Sequence, residues 1–326
     1  LETAKINIEK IIRDIQKTID GYISKPNPKT LYDPARYLFT GGGKRLRAVM
    51  TLLAYALHKP DYRKALPAAA AVEILHNFSL VHDDIMDNDD LRRGRPTLHK
   101  RWDVNVAILS GDLLAAIAYK SLSACDTPKL QEIVEIFSEG FIELCEGQAL
   151  DKEFESQKKI SLKAYLDMIR KKTAALFRVS MHLGVALSGA RAAFVRMASD
   201  YGRHFGTAFQ IQDDLLDVTG DEKTFGKDIG SDLIEKKKTY VTILADQHPD
   251  GRRLLEKFHP DNPKNVHLEA LKTFNEFLTA SRIRHQIESV VDRHLRDAMQ
   301  CLAAFPDSPA RRQLVELTIR MWKRQY

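Results

Sequence analysis

Apolar positions recur every three or four residues through most of this 326-residue chain, and that spacing predicts one helix after another. Residues 3–24 read as an amphipathic helix ending near Gly21, and YDPARYLFTGGG places Pro34 at a helix start before three glycines break the pattern. GGGKRLR then runs as a loop into a helix through Leu57. From 65 to 87 the segment ALPAAAAVEILHNFSLVHDDIMD is apolar on most faces, as is the stretch from about 103 to 122, so both helices are expected inside a bundle. Further helices are predicted near 128–155, 161–188, 191–218, 232–247, 264–303 and 309–325, with QHPDGRR, FHPDNPKN and FPDSPAR as turns between them. No period-two alternation stands out, so the predicted fold class is all-α: one large helical bundle, with 1–326 as a single domain.

Two of these helices end in the same acidic pattern: Asp83, Asp84 and Asp87 in VHDDIMDNDDLRRG, and Asp213, Asp214 and Asp217 in FQIQDDLLDVTG. Four residues is about one helical turn, so the outer members of each set share a face. Aspartate is a poor helix former and three together repel, so one such set reads equally well as a solvated helix end. Two sets, each closing an apolar helix, point instead to hard cations. Oxygen ligands suit Mg²⁺, which keeps several waters and is usually completed by substrate phosphates.

Composition narrows the classes further. The hydrophobic fraction is 44% against 29% charged, with 16 Gly and 12 Pro, as expected of a folded chain with long elements. Polar residues interrupt each apolar run, AIAYKSLSACD for example, so no membrane span or anchor is expected, and LETAKINIEKIIRDI lacks the layout of a signal peptide. Cys125, Cys145 and Cys301 are odd in number and far apart, which favours small buried thiols in a reducing compartment over a disulfide framework. The net charge of +6 is carried in short clusters (Lys44-Arg45-Arg47, Arg92-Arg93-Arg95, Lys171-Lys172, Lys236-Lys237-Lys238) without aromatic interleaving, so nucleic acid is not the expected partner. Arg92 follows closely on the first aspartate set, an adjacency that suits a metal-bound phosphate.

Taken in order, GGGKRLR, LHNFSLVHDDIMDNDDLRRGRPTLH, KKTAALF, FQIQDDLLD, FGKDIGSDL and EKKKTY resemble the sequence blocks of the trans-polyprenyl diphosphate synthases over about residues 40–240. The resemblance implies a bundle of the isoprenoid synthase type, with a central cavity between two aspartate-rich helices. It implies Mg²⁺ ions, three per active site, with Asp83, Asp87 and Asp213 as direct ligands and Asp84, Asp214 and Asp217 behind them. By the same resemblance Arg92, Lys172, Thr173, Gln210, Lys227 and Lys237 surround the diphosphate and reacting end of an allylic substrate. Lys172, Thr173 and Gln210 are the candidate catalytic groups. Lys44, Arg47, His76 and Arg93 match the isopentenyl diphosphate site. Read alone, each base is a solvated surface group and His76 a satisfied core histidine; only the motifs reverse that reading.

The resemblance also places a product-length determinant on the helix before the first aspartate set, where five positions before Asp83 stands Phe78, with Ser79 beside it. That pair is similar to synthases of about twenty-carbon products, which makes geranylgeranyl diphosphate the expected product and farnesyl or farnesylgeranyl diphosphate the neighbours. Helical geometry alone rotates Phe78 by ~140° from Asp83 and does not put it under the metals. Two other classes remain. A terpene cyclase shares the bundle and the first motif, but GGGKRLR and the second aspartate set argue against it. A regulatory subunit or basic scaffold would tolerate eroded motifs, whereas every matched position is intact. The cysteines' reducing compartment makes the cytoplasm the expected location, the family resemblance implies a homodimer, and the helix near 103–122 suits either an interface or a subunit interior.

Overall fold

The computed structural model describes residues 6–220, 229–259 and 261–323, and nearly all of the ordered backbone is α-helix. The helices are α1 (Ile8–Tyr22), α2 (Lys29–Thr40), α3 (Leu46–Ala56), α4 (Leu66–Met86), α5 (Leu98–Arg101), α6 (Val104–Leu122), α7 (Leu130–Ser156), α8 (Leu162–Ile169), α9 (Ala175–Leu187), α10 (Ala192–Thr219), α11 (Ser231–Ile234), α12 (Tyr240–Asp246), α13 (Pro249–Leu255), α14 (Lys264–Ala280), α15 (Ile283–Ala303) and α16 (Pro309–Trp322). The all-α class expected from the periodicity is what the chain adopts.

Several boundaries differ from the sequence reading, each for a local reason. Pro34 lies inside α2 rather than at its start, because Lys29 begins the helix after Pro28 and the ring costs only one backbone bond. The single helix expected over 161–188 is interrupted by a π-helical segment, Arg170–Ala174. The one expected over 264–303 breaks after α14, where Arg282 turns left-handed at φ 61°. In QHPDGRR, expected as a turn, Gln247 and His248 do form the turn but Pro249 onward is α13, with Pro249 in its first turn, a position that needs no amide hydrogen. The expected helix 232–247 is two pieces, α11 and α12, the second restarted by a reciprocal cap between Thr239 and Thr242. A two-residue antiparallel ribbon, Leu91–Arg92 against Arg95–Pro96, was not legible as strand. Its turn residues Arg93 and Gly94 both have positive φ, the signature of a tight hairpin.

The chain packs as two compact units. The first comprises Leu1–Ile142, Ala175–Gly202 and Met299–Leu317. Its centre is α4, whose residues Ala68 to Ala71, with Val72, Ile74 and Leu75, are fully buried. Small side chains there let α6 approach closely, and a Cβ at Gly111 would stand 2.3 Å from the His82 ring. By length and composition α6 is apolar enough to cross a bilayer, contrary to the expectation that no segment is. Here it buries Ala107, Leu114, Ala118 and Leu122 within the unit and exposes Val104, Ile108 and Leu109. The second unit comprises Glu143–Ala174, Arg203–Ala298 and Thr318–Tyr326, with a core that includes Tyr165, Phe205, Phe258 and Phe274. Of the cysteines only Cys125 is buried, its thiol pushed up to about 11 by that burial; Cys145 is exposed and Cys301 intermediate, unlike the expected uniform burial.

Candidate active site

In the first unit α4 delivers Asp83 and Asp84 at its end, and Asp87 caps it, its amide bonded to the Asp83 carbonyl at 2.8 Å. Asp83 and Asp87 are half-buried, whereas Asp84 is buried. Asp84 receives Arg92 through Nε at 2.8 Å, and Arg92 also reaches Asp89 at 3.1 Å. Burial raises the Asp84 carboxyl pKa, and the Arg92 guanidinium opposes the shift. Arg92 is therefore placed by Asp84 and Asp89, and Asp89 is a contributor that the motif alone did not reveal.

The bases around GGGKRLR separate by direction. Gly42 and Gly43 take φ of 72° and 126°, and a Cβ on Gly43 would lie 3.0 Å from the Arg93 guanidinium, which itself donates to the Gly42 carbonyl at 2.9 Å. Lys44 is exposed. Arg47 lies 3.1 Å from His76 Nε2 and covers the Phe177 ring at 4.3 Å. His76 is held far below its ordinary pKa by burial and then by the charges of Arg47, Arg93, Arg92 and Arg45, so it is a neutral imidazole among four guanidiniums. Arg45, of the same charge and motif, turns inward onto Glu73 at 3.0 Å.

Phe78 stands edge-on to Phe141 at 5.0 Å and 4.5 Å from the His82 ring, with Tyr119 6.5 Å beyond Phe141. Ser79 turns its hydroxyl back to the His76 carbonyl at 2.8 Å. An aromatic wall thus begins at Phe78, and two of its members, Phe141 and Tyr119, come from helices that the motif does not include.

In the second unit the π-helical segment carries Lys172 and Thr173. A π turn widens the helix by one residue and is common at functional sites. Thr173 Oγ1 donates to Gln210 Oε1 at 2.7 Å, and Gln210 Nε2 donates to Asp214 Oδ1 at 2.9 Å. Asp214 also accepts the Tyr240 amide at 2.9 Å and the Tyr165 hydroxyl. Burial, with Asp232 nearby, pushes its carboxyl up to about 7 against these donors. Asp213 beside it is exposed, and Asp217 accepts the Ser231 hydroxyl at 3.0 Å and the Asp232 amide at 3.1 Å. Lys172 Nζ donates to Asp151 at 2.6 Å, and Lys237 pairs with Glu235 at 2.8 Å in a cleft that also holds Lys158, Lys159, Lys236 and Lys238. Lys227 lies outside the described residues.

Residues 28–273 match the polyprenyl synthetase family. The chain belongs to that family. This polyprenyl synthetase is a trans-prenyltransferase with the isoprenoid synthase fold. It is 43% identical over 277 residues to the short chain isoprenyl diphosphate synthase of Methanocaldococcus jannaschii, covering 84% of this chain and 83% of that protein. Against the geranylgeranyl diphosphate synthase of Methanosarcina mazei the identity is 35% over 314 residues, 96% of this chain and 95% of the relative. The crystal structure of geranylgeranyl pyrophosphate synthetase from Pyrococcus horikoshii superposes with a TM-score of 0.91 at 34% identity, covering 97% of both chains.

The two motifs of this polyprenyl synthetase share a division of labour. In each, the first aspartate is accessible, while the second is buried and hydrogen-bonded to a group of the site, Arg92 in one and Gln210 in the other. Half-buried Asp83 and Asp87, one turn apart, and exposed Asp213 offer carboxylates that fit a hard cation, whereas both Asp217 oxygens accept hydrogen bonds and the buried Asp84 and Asp214 fix the neighbouring donors.

The sequence reading missed Gly147. A Cβ there would stand 2.2 Å from the Lys172 amide nitrogen and 2.6 Å from its Cα, so the backbone of α7 touches the π-helical segment directly. A glycine inside a long helix, which costs ~1 kcal/mol against Ala, was the available signal. Gly147→Ala is expected to push Lys172 and Thr173 out of place, lowering kcat about 10- to 100-fold for a stability loss of about 1–3 kcal/mol. Steady-state kinetics beside thermal unfolding checks this; wild-type kcat would show that the contact is not needed for positioning.

Proposed function

We propose that this enzyme joins isopentenyl diphosphate head-to-tail to an allylic diphosphate and that its main product is geranylgeranyl diphosphate. The observation that carries the reading is the shared arrangement of the two aspartate motifs, with the hydrogen-bonded sequence Thr173, Gln210, Asp214 behind the second. Asp83, Asp87 and Asp213 would hold Mg²⁺, with Asp84, Asp214 and Asp217 orienting their neighbours. Bound Mg²⁺ supplies fixed positive charge against the negative charge that develops on the departing diphosphate.

The chain's own residues do the rest. Arg92, Lys172 and Lys237 bind the allylic diphosphate and stabilise charge on its oxygens as the carbon–oxygen bond breaks and the electron pair leaves with diphosphate. The Thr173 and Gln210 oxygens turn their dipoles toward the allylic cation. Lys44, Arg47 and Arg93 hold isopentenyl diphosphate so that its terminal alkene carbon is close to that cation, and positioning supplies much of the rate. Neutral His76 adds a hydrogen bond without taking the transferred charge. The new carbon–carbon bond forms from the alkene electrons, and the proton then lost passes to the released diphosphate. No side chain is assigned as a nucleophile.

Phe78, backed by Phe141, closes the space into which the growing tail extends. Phe78→Ala is expected to shift the product from twenty carbons toward farnesylgeranyl diphosphate and longer chains. Chromatography of the products from labelled isopentenyl diphosphate with each allylic primer tests both statements. Absence of Mg²⁺-dependent diphosphate release would overturn the reaction, and an unchanged product in Phe78→Ala would remove Phe78 from length control. We place the enzyme in the cytoplasm as a homodimer of one polyprenyl synthase domain per chain, with exposed Val104, Ile108 and Leu109 of α6 as the contact face.

A further inference from the structure

Away from every residue used above, α10 and α15 bring together two imidazoles and a carboxylate within the second unit. His204 Nδ1 lies 3.0 Å from His294 Nδ1 and 3.7 Å from Asp297 Oδ2, and one donor atom from each residue lies within 4.8 Å of the others. His294 and Asp297 are three apart on α15, so they share a helix face turned to His204. All three are partly exposed, with 16% of the His204 side chain and 38% of the Asp297 side chain open to solvent, which leaves an ion a way in.

We propose that His204, His294 and Asp297 form a binding site for a divalent transition metal, Zn²⁺ being the reference ion, separate from the Mg²⁺ chemistry of the aspartate motifs. Bonds of about 2.0–2.1 Å put neighbouring ligand atoms about 2.8–3.4 Å apart in octahedral or tetrahedral geometry, which the 3.0 Å imidazole pair already meets and which asks Asp297, at 3.7 Å from His204, to move inward. Two imidazoles and a carboxylate suit Zn²⁺, Ni²⁺ or Cu²⁺, whereas Mg²⁺ prefers an all-oxygen shell. The ion takes the place of the proton now shared between the two rings.

The proton positions follow from the neighbours. Arg203 Nη2 is 3.2 Å from His204 Nε2, and a guanidinium only donates, so Nε2 accepts and the His204 proton sits on Nδ1, pointing at His294. When Nδ1 binds metal, that proton moves to Nε2 and the Arg203 guanidinium must swing away; no net proton is released. Arg203 and the nearby Arg293 also repel a cation, which weakens the site without removing its geometry. The bound ion would join α10, a few turns before Gln210 and Asp213, to α15. It would stabilise the unit by mass action rather than take part in the reaction.

The test uses the full chain, stripped with chelator and returned to saturating Mg²⁺ so that the aspartates are occupied. Calorimetric titration with Zn²⁺ should find one ion per chain, and Co²⁺ should give visible absorption bands of an imidazole-containing site. His204→Gln and His294→Asn should each weaken Zn²⁺ about 100-fold or more while Mg²⁺-dependent turnover stays at the parental level. Arg203→Gln, whose amide oxygen can accept the relocated Nε2 proton, should tighten it about 10-fold. This gain decides the matter if a histidine variant folds poorly. No Zn²⁺ uptake by the parent in Mg²⁺, or uptake unchanged in both His294→Asn and Arg203→Gln, overturns the proposal.

Discussion

Asp213→Ala is expected to abolish most turnover, lowering kcat about 10³-fold, while leaving the fold as stable as the parent to within about 0.5 kcal/mol. Asp213 is exposed and begins the second aspartate motif, so its removal relieves crowding of like charge instead of opening a cavity. A thousandfold corresponds to about 4 kcal/mol of transition-state stabilisation. The neighbouring substitution separates function from structure. Asp214 is buried and accepts the Tyr165 hydroxyl, the Gln210 amide and the Tyr240 backbone. Asp214→Ala strands those donors, at about 1–3 kcal/mol for each that finds no water, and should lower the thermal midpoint as well as kcat. Parallel kinetics, Mg²⁺ titration and calorimetry of the two variants check the contrast. Parental kcat in Asp213→Ala would remove it from metal binding, and equal instability of both variants would make the motif structural.

How much of this could be read from the sequence depends on what kind of fact each residue states. The helices were legible because period and burial are one signal, and the aspartates because a repeated acidic turn on an apolar helix has few structural uses. What escaped was set by backbone conformation. Lys44, Arg45 and Arg47 carry one charge in one motif, yet the left-handed turn at Arg45, φ 46°, sends its side chain into the unit and leaves its neighbours to other partners. The π turn at Lys172 has no compositional mark, and the backbone that packs against it, at Gly147, is distant in sequence. Asp151, Asp89 and Tyr165 act by holding another site residue, so nothing in their local sequence announces them. The break at Arg282 likewise lies in a stretch whose polarity continues a helix.

Glu73→Ala is the largest expected loss of stability, about 3–5 kcal/mol, because it leaves the Arg45 charge buried without its counterion. The pair is almost dry, with side chains 3% and 2% exposed. Arg45 has further acceptors in the Phe39 carbonyl at 2.9 Å and Gln16 at 3.1 Å, and Asn77 donates to Glu73 Oε1 at 3.2 Å. These bonds occupy Arg45 and Glu73 Oε1, leave Glu73 Oε2 buried without a hydrogen bond, and would not neutralise a full charge. Glu73→Gln keeps an oxygen for Arg45 and should cost less than Ala, whereas Arg45→Met with Glu73→Leu removes both charges and should recover most of the loss. Urea unfolding of the three variants measures this. A Glu73→Ala cost below about 1 kcal/mol would show that water reaches the arginine. Function should follow through the loop, since Arg45 anchors the turn between exposed Lys44 and half-buried Arg47. The KM for isopentenyl diphosphate should therefore rise in Glu73→Ala more than kcat falls, and the apolar double variant should restore stability without restoring KM. That split would show that the ion pair serves to aim the neighbouring bases.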